Sequence, residues 1–331
     1  MSRELVAVNG TAIARAHPNI AFIKYWGNAD ERLRIPSNGS LSMNLDGLHT
    51  ETRVTWFNDA DRDRLILNGQ PTTGPALDRV VRHVDQLRER LGLTGKVEVE
   101  SRNNFPMGAG IASSASSFAA LTVAAVSAAG LELPEHELSA LARLGSGSAS
   151  RSVPGGYVEW AAGGTHQSSF AFSIAGPDHW DIVDVVAVVS EVHKDVGSRE
   201  GHAVASTSEF QRERVATATS RIDICRAALL DRDFSRLARV VEHDSDMMHA
   251  VMMTSTPPLF YWLPGSLELM SAVRRWRAEG LNVCYTLDAG PNVHCITTSE
   301  DADEVESRVR SLGCVHTTLR AGAGGPALVV G

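Results

Sequence analysis

The chain carries no excess of positive charge: among its 331 residues, 31 lysines and arginines face 39 aspartates and glutamates, a net charge of −8. No basic stripe advertises nucleic acid, and an acidic substrate has to be met by locally placed cations. Cysteine is scarce. Cys225, Cys284, Cys295 and Cys314 lie far apart with no CxxC, which speaks against a disulfide framework or a zinc site and for a reduced, cytoplasmic protein. The twelve histidines include no HExxH spacing, so each reads as a surface or satisfied core residue, not a metal ligand. Residues 1–5 lack the basic-then-apolar pattern of a signal peptide, and no run of about 18 apolar residues offers a membrane span. The GxxxxGK[ST] and GxGxxG nucleotide signatures are missing too. What is present, 43% hydrophobic and 21% charged residues, is the composition of a globular chain long enough for two ordinary domains or one large one.

The stretch that organises the rest is 103–117. Asn104 is followed by Gly108, Gly110 and Ala112, which keep the backbone uncluttered, and then by Ser113, Ser114, Ser116 and Ser117. The alanine-rich run 118–126 reads as a buried helix. A small-residue loop opening a helix gathers unpaired N–H groups and the positive end of the macrodipole at one spot, which suits phosphate. A tight turn before a core helix is the other reading.

Along the chain, residues 12–16, 41–45, 52–56 and 97–101 read as short strands, and 21–26 as a strand ending at Gly27. Leu65-Ile66-Leu67 meeting Asn68-Gly69 is a hairpin signal. Val80, Val81, Val84 and Leu87 give 78–91 the stripe of an amphipathic helix. Helices are predicted over 135–144, 206–217, 222–230, 234–253, 266–279 and 303–312. Residues 283–287 and 293–297 form a strand pair around Asp288-Ala289-Gly290-Pro291-Asn292, and 198–202 is a loop. Strands first, then mixed helices and strands, argue for an α+β architecture. Gly176-Pro177 marks the boundary between a domain over 1–180 and one over 181–331.

In 145–160 a lone arginine, Arg151, stands among serines and glycines with no apolar stripe to serve. It caps a helix end or binds an anion, and its planar fork matches a carboxylate or phosphate at two points. Asp288, at a strand end beside Gly290-Pro291, reads on its own as a turn aspartate.

Several of these stretches together resemble one family. Pro18-Asn19-Ile20-Ala21-Phe22-Ile23-Lys24-Tyr25-Trp26-Gly27 resembles the N-terminal signature of mevalonate diphosphate decarboxylases. Residues 110–116 are similar to their ATP loop, and 146–152 with 155–160 to their substrate loop. Ser198-Arg199-Glu200-Gly201, residues 286–292 and Gly322-Ala323-Gly324-Gly325-Pro326 match further motifs, the last shared with the wider GHMP kinase superfamily. The six matches fall in the family's order from Pro18 to Pro326. The resemblance implies a GHMP kinase fold with an ATP and substrate cleft between two domains, often a homodimer, working with ATP and Mg²⁺ on a phosphorylated mevalonate. It assigns Asp288, Lys24 and Arg151 to catalysis. Tyr25, Asn28, Ser146, Ser148, Ser198 and Arg199 go to the substrate, and the loop residues Asn104, Gly108, Gly110, Ala112, Ser113, Ser114 and Ser116 to the nucleotide.

In the implied reaction a tertiary 3-hydroxyl is phosphorylated, and loss of phosphate and CO₂ gives an isopentenyl product. Departures cluster at the substrate motifs. Asn28 stands where the family usually has a lysine for the substrate's diphosphate end, Gly39-Ser40 where two serines are common, His202 where methionine is common, and Val153-Pro154 in place of a bulkier apolar pair. A lost cation points to mevalonate 5-phosphate, with Arg199 for that phosphate and a protonated His202 assisting. The 5-diphosphate remains the alternative, with Lys194 or Arg34 substituting for the lysine. A mevalonate 3-kinase or an inactive nucleotide sensor fits less well, because neither needs Lys24, Arg151 and Asp288 together.

Overall fold

A computed structural model describes residues 6–105, 113–190 and 197–331, with the side chains of Ser198 and Arg199 left out. Gly108, Gly110 and Ala112 of the nucleotide loop, and Lys194, lie outside the described residues.

The first layer is a six-stranded sheet in which Thr11–Ala16, Thr50–Phe57 and Lys96–Asn103 are neighbours, flanked by the Arg64–Leu67 and Gln70–Thr72 hairpin. That hairpin turns at Asn68 and Gly69, with φ of 49° and 78°, the positive pair that an Asn-Gly turn supplies. The Ser113–Ala128 helix lies across this sheet. It is apolar nearly all round, and Ala119, Ala120, Ala124 and Ala125 are buried. Small side chains let it approach closely enough for Trp56 Nε1 to donate to Ala125 O at 3.0 Å. Helix Pro75–Leu91 opens with proline in its first turn and closes at Gly92 in the left-handed region; it buries Val84 and Leu87 in the same core.

A second sheet runs Ala171–Ala175, Tyr157–Trp160, Ser40–Asn44, Asn19–Ile23. Its inner face packs on helices Ala218–Leu230 and Phe234–Thr254, which bury Cys225, Leu229, Leu237 and Val241 against Ile20, Leu41 and Met43. A third sheet orders Val283–Thr286, Val293–Thr298, Ile182–Val188 and Thr317–Ala321, covered by helices Pro264–Ala278 and Ala302–Ser311. The chain then returns to the first sheet, where Leu328–Val329 pairs with Thr11–Ala16. Helices and strands thus form the α+β arrangement expected from the sequence, with four physical corrections. The strand at 21–26 stops at Ile23, leaving Lys24 on irregular backbone. Residues 35–40 read from sequence as a turn, but Ile35–Pro36 pairs with Asn28–Asp30. The predicted helix over 206–217 is a short 3₁₀ turn, Ala205–Thr207, followed by helix Gln211–Ala216. Ser198 and Arg199 open a helix, Ser198–Val204, where a loop was expected. This helix packs closely: a Cβ on Gly201 would meet Trp26 Cη2 at 2.5 Å, so only glycine lets this turn press on the tryptophan.

Candidate active site

Lys24 and Asp288, 264 residues apart, meet: Nζ donates to Oδ1 at 2.7 Å. The lysine side chain is 2% exposed and the aspartate's 29%, so the pair is sealed on one side and open on the other. Burial lowers the Lys24 pKa despite the opposing pull of Asp288 and Asp244. For Asp288, burial pushes the carboxyl up, but Lys24, His294 and Arg151 outweigh it and hold it below the usual range.

Successive residues of one helix grip the backbone of Lys24 and of the residue that precedes Asp288. Asp244 Oδ2 accepts the Lys24 N–H at 2.6 Å, and Ser245 Oγ accepts the N–H of Leu287, the residue before Asp288, at 3.1 Å. The Lys24 carbonyl is held by Arg214 Nη2 at 2.7 Å and Asn38 Nδ2 at 3.0 Å. Arg221 Nε donates to Asp244 Oδ1 at 2.6 Å, and Arg214 stands 3.8 Å from Oδ2. One turn on, buried His249 feels both Lys24 and Asp288; its pKa is lowered to about 3, mainly by burial, which keeps it neutral. The sequence reading missed Asp244, Ser245, Asn38, Arg214 and His249. No local signal marks them, since most act through backbone groups of distant segments.

Arg151 sits on a 3₁₀ turn, Gly147–Ser152, and is 3% exposed. Nη1 donates to Ser40 Oγ at 2.6 Å and Nη2 to Asn19 Oδ1 at 3.2 Å, while Asn19 Nδ2 ties back to Ser152 Oγ and Ser148 O. The buried Nε has no partner among the described residues, and burial lowers the pKa to about 10. The fork is therefore aimed and incompletely satisfied, a state that favours an anionic ligand.

Ser146 Oγ lies 3.2 Å from Ser114 Oγ and 3.5 Å from Ser148 Oγ, so the serine-opened helix and the 146–148 turn touch. A cavity of about 210 Å³ opens at Ser113, Ser114 and Ser117, walled by Asn68, Arg79 and Phe118. Two other nucleotide candidates turn away from it. Ser116 is buried with its hydroxyl on Thr50 Oγ1 at 2.6 Å and Ser113 O at 3.2 Å. The Asn104 side chain pins a turn, donating to Gly47 O and accepting from His49 N, both at 2.7 Å. Both serve the loop's frame. A larger groove, about 680 Å³ beside Arg236, Arg239 and His243, shares only Arg221 with the residues above.

At the other end, the Tyr25 hydroxyl donates to Asn28 Oδ1, and Asn28 Nδ2 donates to the Glu31 carboxylate at 3.0 Å. Tyr25 stacks on His202, centroids 4.1 Å apart. The expectation that a protonated His202 assists is overturned here: its Nδ1 accepts the Gly27 N–H at 2.9 Å, and burial with nearby Arg34, Arg214 and Arg151 lowers its pKa to about 3. The neutral imidazole stacked on Tyr25 is a packing surface.

The model of the diphosphomevalonate decarboxylase-like N-terminal domain matches residues 16–171, and that of the mevalonate 5-diphosphate decarboxylase C-terminal domain matches 184–324. The phosphomevalonate decarboxylase of Haloferax volcanii is 36% identical over 320 residues, covering 96% of this chain and 97% of that protein. The diphosphomevalonate decarboxylase of Saccharomyces cerevisiae is 37% identical over 303 residues, covering 85% and 76%. Mevalonate diphosphate decarboxylase from Staphylococcus aureus superposes with a TM-score of 0.93 at 35% identity, over 97% of this chain and 98% of that one. A solved structure described as MDDEF in complex with MVAPP, AMPPCP and magnesium gives 0.92 at 36% identity, over 97% and 99%. On these matches the protein belongs to the mevalonate diphosphate decarboxylase family, ATP-dependent decarboxylases built on the GHMP kinase fold.

Proposed function

We propose that the protein converts mevalonate 5-phosphate and ATP to isopentenyl phosphate, ADP, phosphate and CO₂. The observation that carries the choice of substrate is the Tyr25–Asn28–Glu31 chain. Where the resemblance expects a lysine, a neutral amide is spent on a phenol and a carboxylate. Burying a diphosphate demands more cationic partners than a monophosphate, and a carboxylate beside it adds repulsion. The Haloferax relative, named a phosphomevalonate decarboxylase, agrees with this reading, and the diphosphate activity named for the other relatives is the alternative.

Asp288 accepts the proton of the tertiary 3-hydroxyl as that oxygen attacks the γ-phosphorus of ATP, while Lys24 keeps the carboxylate ionised and oriented. Phosphorylation turns a poor leaving group into a good one. Arg151 holds the substrate carboxylate without protonating it; as phosphate departs, the electrons of the C–CO₂ bond form the alkene and CO₂ leaves. Ser113 and Ser114, at the helix mouth, donate to nucleotide phosphates, and phosphoryl transfer depends chiefly on such positioning. Among the described residues no group of three or more His, Cys, Asp or Glu forms a metal cage. Mg²⁺, when bound with the nucleotide, would neutralise phosphate charge, and Ser113 and Ser114 at the helix mouth are the side chains that would lie beside it.

The test is kcat/KM for mevalonate 5-phosphate and 5-diphosphate, following ADP and CO₂. We expect the monophosphate to be favoured by about ten- to a hundredfold, the worth of one charge contact. A preference of about tenfold for the diphosphate assigns the alternative.

A further inference from the structure

We propose that the groove between helices Ala218–Leu230 and Phe234–Thr254 is a second ligand site, taking a soluble phosphate ester with an apolar chain, and that its occupancy reaches Lys24 through Arg221. The groove measures about 680 Å³, within the roughly 300–1,000 Å³ usual for small-molecule sites. Along the second helix Arg236, Val240, His243 and Met247 recur at helical spacing and share one face, with Arg239 beside them. Ile224 of the first helix joins Val240 and Met247 in an apolar floor. Residues 231–233 connect the two helices, which makes them antiparallel neighbours, and the Arg221–Asp244 bond fixes their register. Arg236 and Arg239 therefore lie toward the connection. Glu213, the only carboxylate among the described lining residues, lies beyond Thr217 at the far end.

Charge selects the occupant. In a chain of net charge −8, nearby arginines are spent on carboxylates: Arg226 on Glu159, Arg274 on Asp246 and Arg277 on Glu242. Arg236 and Arg239 form no ion pair among the described residues, and the Arg239 guanidinium donates to Ser235 Oγ at 2.8 Å. Two guanidiniums without a counter-charge above an apolar floor match a phosphate head on a hydrocarbon body. The acid at the far end keeps that head by the arginines. The protein's overall negative charge repels an anionic bilayer, which favours a single soluble molecule. Arg221 forms part of the wall and also braces the active site. Its Nη1 donates to Thr217 Oγ1 at 2.6 Å and its Nη2 to Arg214 O at 2.8 Å, while Nε holds Asp244, whose other oxygen takes the Lys24 N–H. A phosphate seated by Arg239 and His243 draws on that guanidinium and weakens its hold on Asp244.

The test is calorimetric titration of the full chain with geranyl phosphate, with and without saturating mevalonate 5-phosphate and ADP, neither of which should displace it. Inorganic phosphate, the head alone, and geraniol, the chain alone, should each bind at least about tenfold more weakly. Arg236→Gln combined with Arg239→Gln should raise the Kd for geranyl phosphate about ten- to a hundredfold and leave kcat/KM in its absence within about threefold of wild type. At saturation geranyl phosphate should lower the wild-type kcat about fivefold with KM unchanged, an effect the double variant loses at the same concentration. The kinetic arm uses whichever mevalonate ester the wild type turns over. Displacement by substrate or ADP would place the ligand in the cleft and overturn the proposal, as would an unchanged Kd in the double variant. Binding only to vesicles of phosphatidic acid would assign the groove to a membrane, and a change of mass in the double variant by sedimentation would assign it to a second copy of the chain; either result overturns it. An unaltered kcat at saturation overturns the link to Lys24.

Discussion

Replacing Asp244 by asparagine should weaken the fold and the chemistry together. The carboxylate is fully buried, and its two oxygens are committed to Arg221 Nε and the Lys24 N–H, each at 2.6 Å, with Arg214 3.8 Å away. Asparagine has nearly the same shape but only one accepting atom, so one of the two donors then faces an NH₂ group. Two buried guanidiniums also lose their counter-charge. Removing one partner of a buried ion pair costs about 3–5 kcal/mol, a large share of the roughly 5–15 kcal/mol that holds a domain folded. Urea unfolding should register that loss while leaving the protein folded in buffer. Turnover should fall more than stability alone explains, because Lys24 is placed through its own amide, and a displacement of about 1 Å near reacting groups can cost on the order of a hundredfold. Ser245→Ala removes a single hydrogen bond near Asp288 and should cost only about 1 kcal/mol. If Asp244→Asn unfolds within about 1 kcal/mol of wild type and keeps normal kcat, the cluster is not what positions Lys24.

Asp288→Asn should leave ATP binding nearly intact and abolish CO₂ release, with some loss of stability because buried Lys24 loses its counter-charge; a variant that still decarboxylates removes Asp288 from the mechanism. Arg151→Lys keeps the charge but loses the two-point grip on Ser40 and Asn19, so kcat/KM should drop about a hundredfold, and near-normal kinetics would make Arg151 a frame residue. His202, with its pKa lowered to about 3 by burial, binds a proton in the unfolded chain at a pH where the folded protein does not. Its contribution to stability is therefore complete above about pH 6.5 and lost as the pH falls from there toward 3. His202→Met should shrink that acid loss in unfolding measured against pH, and substrate KM should show no histidine titration between about pH 5 and 8; a His202-dependent limb in that range would mean the ring is charged when substrate binds.

The sequence announced those parts of the fold whose signal is local. Asn68-Gly69 turned where its positive φ values allow, and the alanine run 118–126 became the buried helix that small side chains permit. Lys24 was different: the apolar pattern around it reads as continuous strand, but Asp244, Arg214 and Asn38 take its amide and carbonyl, so the ladder ends at Ile23. The helix at Ser198–Val204 was hidden for a similar reason: it shows no long periodic stripe, and what the structure adds is a close approach of Gly201 to Trp26.

The site divides along the same line. Arg151 was legible because it stands among serines and glycines with no apolar stripe to serve, whereas Lys24 and Asp288 were singled out by the resemblance alone, Asp288 reading by itself as a turn aspartate. The structure brings Lys24 and Asp288 together at 2.7 Å and leaves Arg151 Nε without a partner among the described residues. Ser116 and Asn104 looked like equals of Ser113 and Ser114, because a hydroxyl or amide in a motif does not declare whether it faces a ligand or its own frame. Here Thr50 and the turn at Gly47 claim them. Asp244 shows the converse. It acts on Lys24 through a backbone amide, so no residue type at any spacing from Lys24 would have disclosed it, and the 220 positions between them are bridged only once the second sheet packs on the long helix. Residues that touch substrate leave chemical signatures in sequence; residues that hold those residues leave mainly topological ones.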